Sequence, residues 1–596
     1  MGQSIRPSQY ITTYGPGSIL EGELGPKVIL SLQHSDLFHG TITPSSYEIT
    51  DQRFSQSLLQ GGRIVRIPSN AEIGVPDEQD IYTTDSFPSW SLCTEHGIIY
   101  KYNVTREEGT CPQCRRSSDK WENWRKSRRE AIRFIVACKN GHMNDVDWPG
   151  LPNHKRQNCR PEYLYWKGGG SLSDVTIECP TCGGETNLGT EYGKEHRCGG
   201  RKPELRLLQS SCNERAKMIQ RGAANLRIPE ILSSLTIPKL CTKLHELLAR
   251  HDVMSILIGR IFTSKNDLIT LLDNMSKPPL KLVTPAVVAE LNEYEEHPIF
   301  QALEDIKAEI AEKTPHQYRV DELDALQKAA TDGEPVQPAS TPWSPPMFEV
   351  LRNEVCRIEG ENGNALRITP VSRLRVVCVQ LGYRRLDTIN TPLVPVHYED
   401  GGYPWYPGVE LHGEGIFIDL QPQEGMKYAN HFMLEGTEYE KWQEAYENWS
   451  DFGYEGKVAS QETLHPVFVW WHTLAHRLIN SLSVDSGYSS ASIRERVYIK
   501  ITEDGITGGI LLYTAQPGGD GTLGGLIAMV PKFKRVLRSA LRDIHTCSND
   551  PLCSENEFNP GLYNGPACYA CQLVSETSCE HRNMLLDRNL LKRNLP

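Results

Sequence analysis

Residues 93–114 read CTEHGIIYKYNVTREEGTCPQC, and this stretch decides the fold. Cys93-x2-His96 and Cys111-x2-Cys114 each hold two ligands two residues apart. One such pair grips a tetrahedral ion from a single turn, and the second pair closes the shell. The spacing is that of a zinc ribbon, whose closed site contributes folding energy on the order of 10 kcal/mol in small modules. Nothing in it suggests an open coordination position of the catalytic kind.

Working outward, the chain has 17 cysteines, and most of them cluster. Cys179-x2-Cys182, with Cys198 and Cys212 behind, makes an all-cysteine set. Cys138-x3-His142 and His154-x4-Cys159 make a further one, and ligands are exchangeable between these two sets. Cys553, Cys568, Cys571 and Cys579 form a C-terminal set, with Cys547 as a competing ligand or spare thiol. Cys241, Cys356 and Cys378 stand alone and read as core residues. The expectation is a protein whose cofactor is zinc, about three or four ions per chain.

At 596 residues the chain is several domains. No run approaches the roughly 18–20 apolar residues of a membrane span. The start, MGQSIRPSQY, carries neither a hydrophobic leader nor, with Arg6, the myristoylation pattern. These features predict a cytoplasmic protein with no membrane partner. Thiols there stay reduced, so paired cysteines read as metal ligands rather than disulfides.

The expected class is α+β and multidomain: zinc-ribbon modules, a helical middle region and a C-terminal α/β zinc-binding domain. Residues 1–80 read as short strands and turns around Tyr14-Gly-Pro-Gly17, and residues 81–136 as the zinc ribbon plus a basic helix over Asp119–Val136. Residues 137–230 form the second zinc region. Residues 231–346 are helical, from about Pro229 to Ala330, and end in a Pro-rich linker. Residues 347–460 are mixed, with a strand over Gly415–Leu420. Residues 461–596 begin with a strong helix at Leu464–Val484, continue with strands at Val497–Ile501 and Gly509–Tyr513, and end in the last cysteine set.

His472-Thr-Leu-Ala-His476 puts two imidazoles on one helical face, but Thr473 stands where a zinc protease has its general base. The surrounding residues are very apolar, so packed core histidines are the favoured reading; the alternative is a metal-dependent hydrolase or nuclease using His472 and His476. The glycines of Pro517–Gly525 precede a helix without the Lys-Ser/Thr of a phosphate loop, and Asp77-Glu-Gln-Asp80 lacks the apolar strand of a helicase metal box. No catalytic residue and no ATPase activity are therefore assigned to this chain.

The net charge of −12 argues against coating nucleic acid by bulk charge, but leaves room for local tracks. Arg115–Arg133 carries eight Lys or Arg against three acids, together with Trp121 and Trp124. Arg201–Arg227 and Lys532–Arg542 are two further tracks. The candidate DNA contacts are Arg115, Arg116, Lys120, Arg125, Lys126, Arg128, Arg129, Lys532, Lys534 and Arg535. Cations neutralise phosphates, and the tryptophans suit stacking on unpaired bases.

The C-terminal run from Asp550-Pro-Leu-Cys553 through Gly565-Pro-Ala-Cys568-Tyr-Ala-Cys571 to Cys579, Asn583 and Leu586-Asp-Arg588 resembles the four-cysteine zinc-binding domain of MrfA-type helicases. That family often has His where this chain has Tyr569, which leaves the cysteines as the better ligands. Phe134-Ile-Val-Ala-Cys138, Gly141-His142, Arg221-Gly-Ala-Ala-Asn225, Arg373-Leu-Arg375, the 472–476 motif and Gly487-Tyr-Ser-Ser-Ala491 resemble, in that order, the DrmB family of DISARM antiphage systems. The resemblance implies a non-catalytic zinc protein that forms a heterodimer with a DrmA-like helicase. It further implies that the pair binds phage DNA with single-stranded character while the helicase supplies ATP hydrolysis.

Overall fold

The computed structural model describes residues 5–22, 25–35, 42–76, 81–103, 105–114, 128–207, 211–237, 242–308, 313–332, 347–360, 363–387, 391–400, 402–452, 460–516, 524–558 and 563–596. The chain divides into two compact units. One comprises Met1–Tyr47, Val65–Leu232 and Val379–Val409; the other comprises Glu48–Ile64, Ser233–Cys378 and Glu410–Pro596. Both helices and sheets are present throughout, as an α+β chain requires.

The first unit holds short antiparallel strands whose turns carry the ligands. The strands are β1 (Trp90–Cys93), β2 (Ile98–Lys101), β3 (Arg129–Ala131), β4 (Phe134–Ala137), β5 (Met143–Asp145), β6 (Tyr163–Lys167), β7 (Thr176–Glu178), β8 (Glu185–Asn187), β9 (Glu195–Arg197) and β10 (Arg215–Gln220). One sheet runs β8-β7-β6-β2-β1-β3, and another runs β9-β10-β4-β5. Trp90, Ile99, Phe134, Val136, Trp148, Leu164 and Ile177 pack into one buried cluster around them.

The helix expected over Asp119–Val136 is not found in its described part, which forms β3 and β4 instead. All four residues of Phe134-Ile-Val-Ala137 are buried, and β4 pairs with β10 on one side and β5 on the other. A fully apolar, β-branched run buried on both faces belongs in a sheet centre, whatever the spacing of the charges before it. Residues 119–127 of that expectation lie outside the described residues.

In the second unit, helices from Lys243–Ala249 to Pro315–Asp332 include a helical cluster with its own core. The helical expectation from Pro229 is corrected at its start, because Ile228–Leu235 is a strand. Further along the chain come β11 (Ala365–Arg384, in this unit up to Cys378), β12 (Tyr403–Gln421, in this unit from Glu410), helix α1 (Pro466–Asp485), β13 (Arg494–Thr502), β14 (Gly505–Gln516) and helix α2 (Phe533–Arg542). In the sheet β12 pairs with β14 from His412↔Gln516 to Asp419↔Gly509, and β14 pairs with β13 from Arg494↔Tyr513 to Thr502↔Gly505.

Helix α1 is buried at every position from Pro466 to His476. Pro466 occupies its first turn, where no N–H is required, and the His465 ring accepts from Val467 N at 3.1 Å. A helix apolar on all sides is a core helix. Trp470, Trp471, Leu474 and Leu478 pack with Ile416, Val497, Ile510 and Val536 in one cluster. Among the described residues, no helix is long and apolar enough to cross a membrane.

Candidate metal centres

The first ligand set assembles at the end of β1. Cys93 closes that strand, and Gly97, at φ 57°, returns its N–H to the Cys93 carbonyl at 2.9 Å, so His96 sits inside a tight turn. A Cβ on Gly97 would meet the Trp166 carbonyl oxygen at 2.7 Å. His96 Nδ1 lies 3.4 Å from Cys93 Sγ, 3.8 Å from Cys111 Sγ and 3.4 Å from Cys114 Sγ. Those separations match the edges, about 3.3–3.8 Å, of a tetrahedron with zinc at its centre. Burial, then the neighbouring Cys111, pushes the Cys114 thiol up to about 12. A divalent cation offsets that cost, because it binds the thiolate and displaces the proton.

The middle region resolves into two mixed sets. Cys138, His142, Cys198 and Cys212 converge, as do His154, Cys159, Cys179 and Cys182. The expected all-cysteine grouping of 179, 182, 198 and 212 is therefore corrected: the two sets exchange a pair. Strand polarity gives the reason. β9 and β4 both run antiparallel to β10, with Arg197↔Arg215 and Ala137↔Lys217 paired. Cys198 after β9, Cys138 after β4 and Cys212 before β10 thus share one end of one sheet. In the same way Tyr165↔Glu178 pairing brings the end of β7, with Cys179, beside the start of β6, with Cys159 and His154 just upstream.

In the first of these sets, Cys138 Sγ lies 3.4 Å from His142 Nδ1 and 3.5 Å from Cys198 Sγ. In the second, His154 Nδ1 lies 3.3 Å from Cys182 Sγ, while its Nε2–H donates to the Pro149 carbonyl at 2.7 Å. That outer bond fixes the tautomer and leaves Nδ1 as the ligand nitrogen. The His154 contact draws the Cys182 thiol down to about 6.

At the C-terminus Cys547, Cys553, Cys568 and Cys571 converge, with Cys547 to Cys568 at 3.4 Å and Cys553 to Cys571 at 3.6 Å. Burial opposes ionisation of Cys568, but its contacts with Cys547, the Ala570 backbone, Cys553 and Cys571 together outweigh it and bring that thiol down to about 7. Cys547, read from the sequence as a competing ligand, takes the place expected for Cys579. Cys579 instead lies with His472, His476 and Glu495. His472 and His476 are fully buried, as the packed-core reading expects, yet they face ligand groups rather than apolar neighbours alone. Glu495 escaped the sequence reading; its one signal was a charged Arg-Glu-Arg triplet opening an apolar strand.

Of the basic residues, Arg115, Arg116, Lys120, Arg125 and Lys126 lie outside the described residues, as do Trp121 and Trp124. Arg128 pairs with Glu95, and the Arg129 guanidinium lies 3.7 Å over the Tyr102 ring. In the 201–227 track three cations are engaged within their unit: Arg206 meets Asp85 at 3.2 Å, Arg221 meets Glu21 at 2.6 Å, and buried Arg227 donates to the Pro16 carbonyl at 2.9 Å, while Arg215 and Lys217 are exposed. Lys532, Lys534, Arg535 and Arg538 are exposed, while Phe533, Val536, Leu537 and Ala540 anchor α2 from its other face. Arg535 also pairs with Asp485 at 2.7 Å.

A chain built on closed Cys/His clusters, with its last cysteine cluster set against an α/β core, belongs to the class of multi-zinc proteins, and residues 474–572 match the MrfA Zn-binding domain. Residues 6–228 match a domain of unknown function (DUF8724). The chain is 29% identical over 509 residues to the DISARM protein DrmB of Bacillus paralicheniformis, covering 81% of this chain and 82% of that protein. Among solved structures, the helicase MrfA bound to DNA is similar at 14% identity with a TM-score of 0.21, over 41% of this chain and 24% of that one. The chain thus spans about a quarter of that helicase's length.

Proposed function

We propose that this chain is a zinc-stabilised, non-catalytic subunit of a DISARM-type antiphage complex. It partners a DrmA-like helicase in the cytoplasm and helps hold phage DNA. The observation that carries this reading is the likeness to DrmB, which extends over 81% of the chain and so is not confined to one zinc module. The ions fold the modules, each ligand set being filled by protein side chains with no position left for a substrate. The exposed cations of α2 supply a DNA-facing surface on a rigid element.

The test is co-purification with the helicase subunit, followed by DNA binding of the pair and of the helicase alone. The expected result is a stable pair that holds single-stranded or tailed DNA more tightly than the helicase does. Equal affinity with and without this chain overturns the DNA part of the proposal, and failure to co-purify overturns the whole.

A further inference from the structure

We propose that His472, His476, Glu495 and Cys579 form a separate, fully protein-ligated zinc site in the core of the second unit. It is distinct from the four-cysteine set of Cys547, Cys553, Cys568 and Cys571. Three segments far apart in sequence supply its ligands: helix α1, strand β13 and the C-terminal tail. The four ligand atoms lie within 4.8 Å of one another. His472, His476 and Glu495 have no exposure, and Cys579 has 5%.

The hydrogen bonds argue for a cation. His472 Nδ1–H donates to the Leu585 carbonyl at 3.0 Å, and His476 Nδ1–H donates to the Gln572 carbonyl at 2.8 Å. A neutral imidazole has one N–H, so each Nε2 carries a lone pair. Both lone pairs point at Glu495 Oε1, at 2.8 and 3.3 Å, and that of His472 also faces Cys579 Sγ at 3.3 Å. Acceptors facing acceptors repel unless a proton or a metal ion sits between them. A carbonyl-bound Nδ1–H with Nε2 turned inward is the arrangement of metal-ligating histidines.

Charge separates the two remaining explanations. Two imidazoliums would stand with ring centroids 4.7 Å apart in a dry interior and share one carboxylate oxygen. Glu495 Oε2 meanwhile has no hydrogen-bond partner among the described residues. Zn2+ with one thiolate, one carboxylate and two neutral imidazoles is electrically neutral and uses every inward-facing lone pair, so burial carries little charge penalty. With all four positions filled by protein and no exposed face, the ion is structural and ties helix, strand and tail together. This site needs no water or substrate, unlike the hydrolase alternative for the same histidines.

Zinc-edge anomalous diffraction from crystals of the full chain tests the inference without altering it. The expected result is a zinc peak within bonding distance of His472 Nε2 and Cys579 Sγ, in addition to peaks at the four other clusters. Peaks at the other clusters and none here would overturn it. In parallel, zinc content is measured for full-length Glu495→Gln and Cys579→Ser proteins with native circular dichroism, alongside Cys547→Ser. The first two are expected to lose one ion each, and Cys547→Ser to lose a different one, so that Glu495→Gln combined with Cys547→Ser loses two. A folded Glu495→Gln and Cys579→Ser that both retain the wild-type zinc content would also overturn the proposal, and if neither variant folds the diffraction result decides.

Discussion

Arg496 grips Glu322 with two parallel bonds, Nε to Oε2 at 2.7 Å and Nη2 to Oε1 at 2.8 Å, and neither side chain is exposed. Arg496 Nη1 goes on to Ser233 Oγ at 2.7 Å and Glu580 Oε1 at 3.2 Å. Removing one partner of such a pair strands the other charge in the core, which costs about 3–5 kcal/mol. Glu322→Ala is therefore expected to lower stability by that amount in denaturant titration of the full chain. A loss below about 1 kcal/mol would mean that Glu580 and Ser233 suffice to hold the guanidinium.

The same pair sets an acid limit. Burial alone would raise the Glu322 carboxyl, but Arg496, Arg319 and Arg53 outweigh it and hold it below the ordinary glutamate value. The unfolded chain then binds the proton first as pH falls. The contribution of Glu322 is present above about pH 4.3, the unfolded value, and is lost as pH drops through the lower folded value. Wild-type stability is expected to fall more steeply than that of Glu322→Gln below that pH. Parallel pH profiles from pH 6 to 3 would contradict this.

Ligand assignment at the C-terminus is open to a direct test. Cys547 and Cys568 sit 3.4 Å apart, and Asn549 N–H donates to Cys547 Sγ at 3.5 Å, as expected around a thiolate. Cys547→Ser is expected to lower zinc content by one ion per chain and make the protein more sensitive to chelators. Unchanged zinc content would return the ligand role to another group.

How far the sequence revealed all this depended on the range of the signal. The Cys93–Cys114 ribbon was legible because its four ligands lie within one short stretch, and α1 was legible from its apolar length. The partition of the middle cysteines was not, because it follows from strands pairing across the fold: Cys138 meets Cys198 only because β4 and β9 flank β10. Cys579 was assigned by proximity in sequence, whereas its neighbours in space are more than 80 residues away on α1 and β13. The strand β4 was misread because the basic residues before it suggested a helix face, while burial on both sides decided the outcome.

The Tyr14-Gly-Pro-Gly17 turn shows what a local motif serves. Gly17 has φ 82°, and a Cβ there would meet the Tyr383 ring at 2.5 Å. Tyr383 in turn donates to buried Glu204, which Arg385 also holds at 3.1 Å. Gly17→Ala combines a left-handed backbone with overpacking, for an expected loss of about 1–3 kcal/mol. The melting temperature of the variant measures it; an unshifted value would show that Tyr383 moves freely.

The basic face of α2 gives the sharpest test of nucleic-acid binding. Lys532, just before α2, and Lys534 and Arg538 on it are exposed, while Phe533, Val536, Leu537 and Ala540 fasten the helix to the core, so reversing these charges leaves the packing intact. Acidic residues near the helix start also suit its dipole. Each phosphate that is no longer neutralised reduces the slope of log affinity against log salt by about 0.7 for single strands and 0.9 for duplex. If the proposed pair with a helicase binds DNA through this face, the triple variant Lys532→Glu, Lys534→Glu and Arg538→Glu is expected to weaken that binding at least about ten-fold and to flatten that slope by about two. Arg128 and Arg129 are engaged by Glu95 and Tyr102, so their reversal is expected to lower stability of the ribbon more than affinity. An α2 variant that binds with wild-type affinity and slope would remove this helix from the DNA path and leave phosphate binding to other residues of the complex.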